Sequence, residues 1–249
     1  MFLKYRTQGF IFKKEDFREA DQLFRVFTRD FGKLEILGKA IRKISSKLRS
    51  GMEIFYLSEI EFIQGKTHKT LTDAILIEKF QNLRKNLGRL NIAYKIAENL
   101  DNFIKGEEPD EKIWQLLLEV FGKLNTFHLT PYTFHLIYYY FFWNLISVLG
   151  YKPELYHCSI CQKKLSPEKL YFSQREGGII CYNCFKEKEK SIGQVKEIFP
   201  EIVKLIRIFL EKNWQVLERL KIEKSYLESL GEISKNYSDF ILEKNSPVK

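Results

Sequence analysis

All four cysteines of the chain occur in two pairs that have the spacing of metal-binding turns. Cys158 pairs with Cys161 and Cys181 with Cys184, each with two residues in between, and residues 162–180 separate the pairs. A C-x-x-C turn holds two sulfurs on one side of the chain, and two such turns supply four thiolates for a tetrahedral Zn²⁺ ion. Since four thiolates fill the coordination sphere, the pattern predicts one structural Zn²⁺ ion without an open position for catalysis.

Three other kinds of chemistry use paired cysteines. Disulfides are disfavoured because the protein is expected in the cytoplasm, where thiols stay reduced. A thioredoxin-like redox motif needs a particular strand and helix around the C-x-x-C, and the sequence lacks that context. An iron–sulfur cluster uses the same ligands, and the spacing does not exclude it. His157, beside Cys158, is expected not to bind the metal because four thiolates already suffice.

A second group of residues with possible chemistry is a run of positive charge over residues 33–49. Its six Lys and Arg residues face a single acid, Glu35, and Arg29 lies just upstream. Such a run can follow a phosphate backbone, and each neutralised phosphate adds a salt-dependent contribution to binding. In isolation it also fits an ordinary solvated loop. Nearby aromatic residues could stack on bases or fill a barrel core, and these are Phe24, Phe27, Phe31 and Tyr56.

Whole-chain properties favour a binding protein over an enzyme. A net charge of +9 favours polyanionic partners such as nucleic acid or an anionic membrane surface. The common signatures of nucleotide-binding loops, dinucleotide folds, zinc proteases and serine hydrolases are absent from the sequence. Acid pairs such as Glu19 and Asp21 are expected to face solvent or to order nearby backbone. The chain is therefore predicted not to be an enzyme.

The sequence also predicts a cytoplasmic protein without a membrane anchor. Lys4 and Arg6 interrupt the start of the chain before an apolar signal segment can form. The most apolar stretch, residues 134–149, is shorter than the roughly 18 residues of a membrane span and contains His135, Asn144 and Ser147. We therefore expect this stretch to form a buried helix.

The first part of the chain is predicted to form short strands. Residues 1 to about 75 contain apolar runs separated by charged or Gly-containing breaks, which predict strands over residues 5–12, 23–28, 34–37 and 52–63. About five strands in such a length is the scale of a small β-barrel, either an OB-fold or an SH3-like barrel. The pattern does not separate these two barrels.

From about Thr72 the apolar spacing indicates helices. Pro109 is expected in the first turn of the second helix, and a third is expected to start at Thr130 and Pro131 and to end at Gly150. Residues 151–190 form the cysteine-bearing insertion, with a hairpin turn predicted over 176–179. Helical patterns resume over about 195–242, where Pro200 bounds a helix or lies in its first turn. The apolar faces predicted for the first two helices consist of Ile92, Ala93, Ile96, Ala97, Leu100 and Phe103, and of Ile113, Leu116, Leu117, Val120, Phe121 and Leu124.

Two blocks of the sequence resemble the RecO family of bacterial recombination and repair mediators. The first contains TQGFIF (7–12), Glu19-Ala20-Asp21, TRDFGK (28–33) and GKAIRKISSKL (38–48). The second contains LGYKPELYHCSICQKKL (149–165) and YFSQREGGIICYNC (171–184), which look like the family's helix end and zinc module. The blocks occur in the family's order, and the resemblance extends from residue 5 to about 185. One departure is Phe141-Phe142-Trp143, where the family usually carries Phe-Glu-Leu.

The resemblance implies a multidomain α+β protein with an N-terminal OB-fold over residues 1–78 and a helical (all-α) domain over 79–249. A zinc ribbon with four cysteine ligands would be inserted at about 155–188, with Cys158, Cys161, Cys181 and Cys184 binding one structural Zn²⁺. The basic face of the OB-fold would bind DNA, with candidate residues Arg29, Lys33, Lys39, Arg42, Lys43, Lys47 and Arg49.

The resemblance also implies a function and partners. The protein would bind single- and double-stranded DNA and anneal complementary strands without ATP, in a nucleoid-associated cytoplasmic location. With RecR it would help load recombinase onto strands coated by the single-stranded-DNA-binding protein (SSB), whose acidic tail the helical domain receives. The alternative is a zinc-ribbon adaptor that binds another protein and has no direct DNA function.

Overall fold

The computed structural model describes residues 3–126, 131–188, 192–193 and 195–245. Contacts within the chain divide it into two units, Met1–His135 and Leu136–Lys249. The first unit contains a β-barrel followed by helices, and the second contains helices and a small sheet. This architecture confirms the mixed α+β class, whereas the domain boundary between residues 78 and 79 stays a prediction.

Five strands close the barrel of the first unit. They are β1 (Lys4–Asp16), β2 (Gln22–Thr28), β3 (Gly32–Gly38), β4 (Leu57–Gln64) and β5 (Lys69–Glu78). Their order is β1-β2-β3-β5-β4, and the long strand β1 pairs antiparallel with both β2 and β4. β3 and β5 form a short parallel pair at residues 36–37 and 69–70. Five strands closed in this way form an OB-fold, as the resemblance implied, and not an SH3-like barrel.

The barrel interior follows the alternation of apolar residues along each strand. Residues two apart on a strand share a face, and the core contains Phe24 and Val26, Leu34 and Ile36, and Ile60 and Phe62. Phe27 is also fully buried, while Phe31 and Tyr56 are partly buried against the core. Phe24, Phe31 and Tyr56 therefore fill or support the barrel core, and Phe27 is buried on the opposite face of β2.

The connection between β3 and β4 corrects one strand prediction. The predicted strand over residues 52–63 begins only at Leu57. Phe55 has a φ of +62°, a left-handed conformation that interrupts extended backbone. Its ring is nevertheless buried, and its N–H donates to the Ile11 carbonyl at 2.6 Å. Met52 and Phe55 are thus apolar because they are buried, and not because they lie in a strand.

The helices begin later in the chain than predicted. Thr72 lies in β5, and the first helix, α1 (Leu87–Phe103), begins 15 residues later, capped by the Asn86 side chain, which accepts from the Arg89 N–H. The β-branched residues of β5 suit a strand, and pairing with β4 satisfies its backbone. Phe80, with a φ of +47°, then turns the chain toward α1. Pairing with β4 therefore determines the structure of this segment, although the spacing of its apolar residues indicated a helix.

The other helix boundaries of this region follow local capping. α2 spans Glu111–Asn125, and Asp110 caps it by accepting from the N–H groups of Lys112 and Ile113. Pro109 consequently precedes the cap and does not lie in the first turn. α3 spans Pro131–Val148, and Gly150, with a φ of +90°, follows its end as predicted. Thr130, the predicted N-cap, lies outside the described residues. The apolar faces predicted for α1 and α2 are buried, except that Phe103 is half-buried.

The second unit packs helices with a three-stranded sheet of order β7-β6-β8. Phe142 and Trp143 of α3 are buried, consistent with a central helix. Pro200 is the first residue of a helix, as predicted. The remaining elements are β6 (Leu170–Ser173), β7 (Gly178–Cys181), α4 (Tyr182–Lys188), β8 (Val195–Ile198), α5 (Pro200–Leu210), α6 (Trp214–Arg219) and α7 (Lys224–Lys244).

Residues 195–198 form a strand, and the prediction of a helix from about Val195 was wrong. The segment pairs with β6 from Val195 opposite Ser173 to Ile198 opposite Leu170. Its partner lies more than 20 residues away in the sequence, so local spacing could not reveal the pairing. Within the described residues, no helix combines the length and the apolar character that a membrane crossing needs.

Candidate metal centre and nucleic-acid interface

The four cysteine sulfurs of the second unit converge on one point. All four Sγ atoms lie within 4.8 Å of one another, and those of Cys161 and Cys181 are 3.9 Å apart. A tetrahedral ion with Zn–S bonds of about 2.3 Å requires sulfurs about 3.8 Å apart. None of the four cysteines forms a disulfide. The arrangement therefore fits one four-coordinate metal ion.

Two turns of different construction present the sulfurs. In the first, the Cys158 N–H donates to the Lys163 carbonyl and the Gln162 N–H donates to the Cys158 carbonyl, both at 2.9 Å. Gln162 takes a left-handed φ of +59°, which tightens this turn. In the second, Cys181 ends β7 and Cys184 lies in the first turn of α4. Two separate elements thus deliver two sulfurs each.

The β6–β7 hairpin aligns these two turns. β6 and β7 are antiparallel, with Leu170 opposite Cys181, and residues 174–177 connect them. Gly177 has a φ of +67° in that connection. The predicted hairpin is therefore confirmed, with its turn two residues earlier than predicted. The rings of Tyr171 and Phe185 stack with centroids 3.9 Å apart beside the sulfurs, in a small core that also contains Ile180.

The four sulfurs cannot all be thiolates at neutral pH unless a cation lies among them. Burial opposes ionisation of Cys158, but backbone N–H groups of Cys161, Cys181 and Ile160 lower its pKa to about 7. Burial raises the pKa of Cys181 and of Cys184, and the neighbouring Cys158 raises both further. A bound cation would remove this conflict, which supports the metal assignment. His157 lies outside the cluster and has its Nδ1 3.7 Å from Glu154 Oε1.

Five of the seven candidate DNA-binding residues lie in one segment of the first unit, which we call the basic loop (residues 39–49). All five are exposed, and they are Lys39, Arg42, Lys43, Lys47 and Arg49. Within the described part of the chain, Arg42 alone among them forms an ion pair, with Asp16 at 3.3 Å. Four cations therefore remain available to an outside anion.

The end of the basic loop is held against the barrel. A short 3-10 helix, Lys47–Gly51, packs on β5. Gly51 allows this approach because a Cβ there would lie 2.5 Å from the Ala74 carbonyl oxygen. The Ser58 hydroxyl also donates to the Gly51 carbonyl at 2.6 Å. The cations of the loop are thus attached to a fixed surface.

The other two candidate residues lie elsewhere and have protein partners. Arg29 is 3.5 Å from Glu111 of α2. Lys33 is half-buried, and its ammonium donates to the Asp101 carboxylate at 2.7 Å and to the carbonyls of Asp101 and Ile104 at 2.8 and 2.9 Å. The structure does not bring them together with the basic loop, and their contact with DNA stays a prediction.

Asp101 links the barrel to α1. Its carboxylate accepts from Arg25 at 2.5 Å and from Lys33 at 2.7 Å, and Lys13 lies 3.5 Å away. Burial opposes its ionisation, but hydrogen bonding and attraction to Lys33 and Arg25 outweigh burial and lower the carboxyl pKa below its ordinary value of 3.8. Its ionised form therefore stabilises the fold at neutral pH.

Asp101→Asn is expected to lower the free energy of unfolding by about 2 kcal/mol at pH 7, because two half-buried cations lose a charged acceptor. A lowered pKa stabilises the fold above the unfolded pKa, and this contribution disappears as pH falls through the folded pKa. Urea unfolding from pH 7 to pH 3 should show the two proteins converging at acid pH. Glu98→Gln, at an exposed position on the same helix, should change stability by less than about 0.5 kcal/mol. Equal stability of Asp101→Asn and wild type at pH 7 would contradict the assignment.

Three turns of the barrel meet at one place, which we call the barrel end (residues 17–21, 39–42 and 65–68). The Ala40 N–H donates to Asp21 Oδ1 at 2.7 Å, and the Arg42 N–H donates to the Ala20 carbonyl at 3.1 Å. The rings of Phe17 and His68 meet edge to face, with centroids 5.4 Å apart. OB-folds bind oligonucleotides with their β1–β2 and β4–β5 loops. The barrel end joins those loops to the basic loop.

Sequence reasoning did not single out the exposed aromatic and basic residues of the turns at 17–21 and 65–68. Phe17, Arg18 and Lys66 are exposed at the barrel end, and His68 is half-buried there. An aromatic residue followed by arginine inside an otherwise charged break was the available signal. The spacing of the apolar runs indicates only that this segment lies between two strands.

The chain matches two family models over nearly its whole length. "Recombination protein O N terminal" matches residues 1–80, and "Recombination protein O C terminal" matches residues 84–249. The proteins called DNA repair protein RecO from two strains of Dehalococcoides mccartyi, BAV1 and 195, are 32% and 33% identical to it over 240 and 241 residues. Each alignment covers 96% of this chain and 91% of the relative. The protein of that name from Moorella thermoacetica is 29% identical, with 96% and 87% covered. This chain therefore belongs to the RecO family of DNA repair proteins.

Proposed function

We propose that this protein is a mediator of DNA repair and homologous recombination that binds single- and double-stranded DNA and anneals complementary strands without ATP. With RecR, it helps load recombinase onto single strands coated by SSB, whose acidic tail binds the helical domain. The observation that carries the proposal is the set of four exposed cations on an OB-fold that have no ion pair within the described residues: Lys39, Lys43, Lys47 and Arg49.

The physical basis of annealing is the neutralisation of phosphate charge. Two complementary strands repel each other until cations compensate their phosphates, and lysines and arginines do so with release of counterions. The basic loop supplies such cations beside the turns that OB-folds use for oligonucleotides. Base pairing itself then releases the free energy that drives annealing, so no nucleotide hydrolysis is needed. The absence of nucleotide-binding signatures from the sequence agrees with this proposal.

We further propose that the four cysteines hold one Zn²⁺ ion with a structural role. The ion would tie the turn at Cys158 and Cys161 to the end of β7 and the start of α4. The core beside it is small, so the metal would supply much of the stability of this module. All four sulfurs would be ligands, and the ion would hold the fold without taking part in DNA chemistry.

A strand-annealing assay without ATP tests the proposal. Complementary labelled strands, bare or coated with SSB, should anneal faster with the protein than without it, and the SSB-coated reaction should need the SSB tail. RecR should allow recombinase to assemble on the coated strand. Tight binding of RecR without DNA binding or annealing would reject the mediator function and support the adaptor alternative.

A further inference from the structure

Phe17 is an exposed aromatic side chain held in a fixed place at the barrel end. It is 38% exposed, and its N–H donates to the Asp21 carbonyl at 3.2 Å across the β1–β2 turn. The His68 ring, from the β4–β5 turn, meets the Phe17 ring edge to face at 5.4 Å. Two separate turns thus set the orientation of one partly exposed ring.

Several cations lie near this ring, in a turn that also contains acids. The Arg18 guanidinium lies 5.3 Å from the Phe17 ring centroid, and within the described residues it has no ion pair. Arg42 donates to the Glu19 carbonyl at 3.1 Å, in the same turn as Phe17. Lys43 and Lys66 are exposed on the neighbouring turns. An exposed apolar ring with an arginine at its face suits a ligand with both a flat face and negative charge.

An unpaired nucleotide has both of these properties. Its base presents a free π face, and stacking on an aromatic side chain tolerates every base. A base inside a duplex is already stacked on both faces, so it cannot use such a ring without leaving the helix. A ring exposed like that of Phe17 would therefore discriminate between single and double strands, whereas the cations of the basic loop would bind phosphates of either.

We propose that Phe17, oriented by His68, forms a stacking platform for one unpaired base, that Arg18 binds a neighbouring phosphate, and that this platform gives the protein a preference for single-stranded DNA. The proposal rests on the proposed function, because it names the substrate form of the same surface. Arg18 covers part of the Phe17 ring in the absence of DNA and moves to a phosphate when a base stacks.

Phe17→Ala tests the platform. Binding to a labelled single strand should weaken about 5- to 150-fold, while binding to a duplex of the same length should change by less than about twofold. The salt dependence of single-strand binding should stay the same, because phenylalanine neutralises no phosphate. Phe17→Tyr should retain the affinity, and Phe17→Leu should lose it although it keeps an apolar side chain. The fluorescence of a 2-aminopurine base in the strand should fall on binding to wild type and not to Phe17→Ala.

Tyr94→Ala is the matched control. Tyr94 is 49% exposed on α1 and meets Phe55 edge to face at 5.0 Å, so its removal deletes a similar exposed ring. Its single-strand affinity should equal that of wild type. Equal losses of single-strand and duplex affinity in Phe17→Ala, no loss, or an unchanged affinity in Phe17→Leu would overturn the platform and leave the proposed function standing. Absence of DNA binding by wild type would instead reject the proposed function itself.

Discussion

Cys184→Ser is expected to abolish metal binding and to destabilise the unit Leu136–Lys249. Zinc content should fall from one ion per chain to less than about 0.1, because three sulfurs leave the tetrahedral site incomplete. Structural Zn²⁺ binds zinc-finger peptides with about 10–16 kcal/mol. Loss of even about 4 kcal/mol corresponds to a fall of about 8–16 °C in the unfolding midpoint of a chain of 249 residues. Metal analysis and calorimetry of the full chain measure both effects.

His157→Gln is the control for this substitution. His157 is next to Cys158 in the sequence but is exposed and lies outside the sulfur cluster. It should retain one ion per chain and the wild-type midpoint. A chelator added to wild type should reproduce the instability of Cys184→Ser. Full metal content in Cys184→Ser, or loss of metal in His157→Gln, would contradict the assignment of the four cysteines as ligands. Iron instead of zinc in the purified protein would show that the site holds an iron–sulfur cluster.

Alanine at Lys39, Lys43, Lys47 and Arg49 together is expected to weaken single-strand binding and its salt dependence. Each phosphate contact on a single strand contributes about 0.7 to the slope of log K against log salt. Loss of four contacts should therefore reduce the slope by up to about 2.8, which at 0.1 M salt corresponds to up to about 600-fold weaker binding. Duplex binding should weaken as well, because lysine and arginine bind the phosphates of single and double strands alike. Fluorescence anisotropy from 0.05 to 0.5 M salt would measure the slopes.

A variant with the same net charge provides the control. Four exposed cations of the second unit can be replaced by alanine, and none of them has an ion pair within the described residues: Lys204, Arg219, Lys221 and Lys235. If the position of the charges matters, this variant should keep most of the wild-type slope. Equal slopes in the two variants would show that net charge alone governs binding and would remove the basic loop from the interface.

The parts of the structure that follow from local sequence were predictable. The spacing of Cys158 and Cys161, and of Cys181 and Cys184, fixes two sulfurs on each turn, and the converging Sγ atoms agree with it. The alternation of apolar residues predicted most of the barrel strands, because one face of each strand must enter the core. The helix spacing identified the buried faces of α1 and α2 for the same reason.

The parts that depend on distant contacts were not predictable. Thr72 belongs to a strand because β4 pairs with the residues on either side of it, and Val195 because β6 pairs with it. Lys33 looked like a member of the basic run, but Asp101, 68 residues later, holds its ammonium. Phe17 and His68 come into contact only when the barrel closes, so no local pattern in the sequence predicts their contact.

We expect the cations of the basic loop to bind single-stranded DNA and to promote annealing. The most direct test is a salt titration of wild-type binding to a labelled single strand, followed in the same cuvette by its complement without ATP. We expect binding to weaken with a slope of magnitude about 2.8 or more and annealing to be faster than without protein. Binding that is absent at 0.1 M salt, or that is independent of salt, would contradict DNA binding by the basic loop.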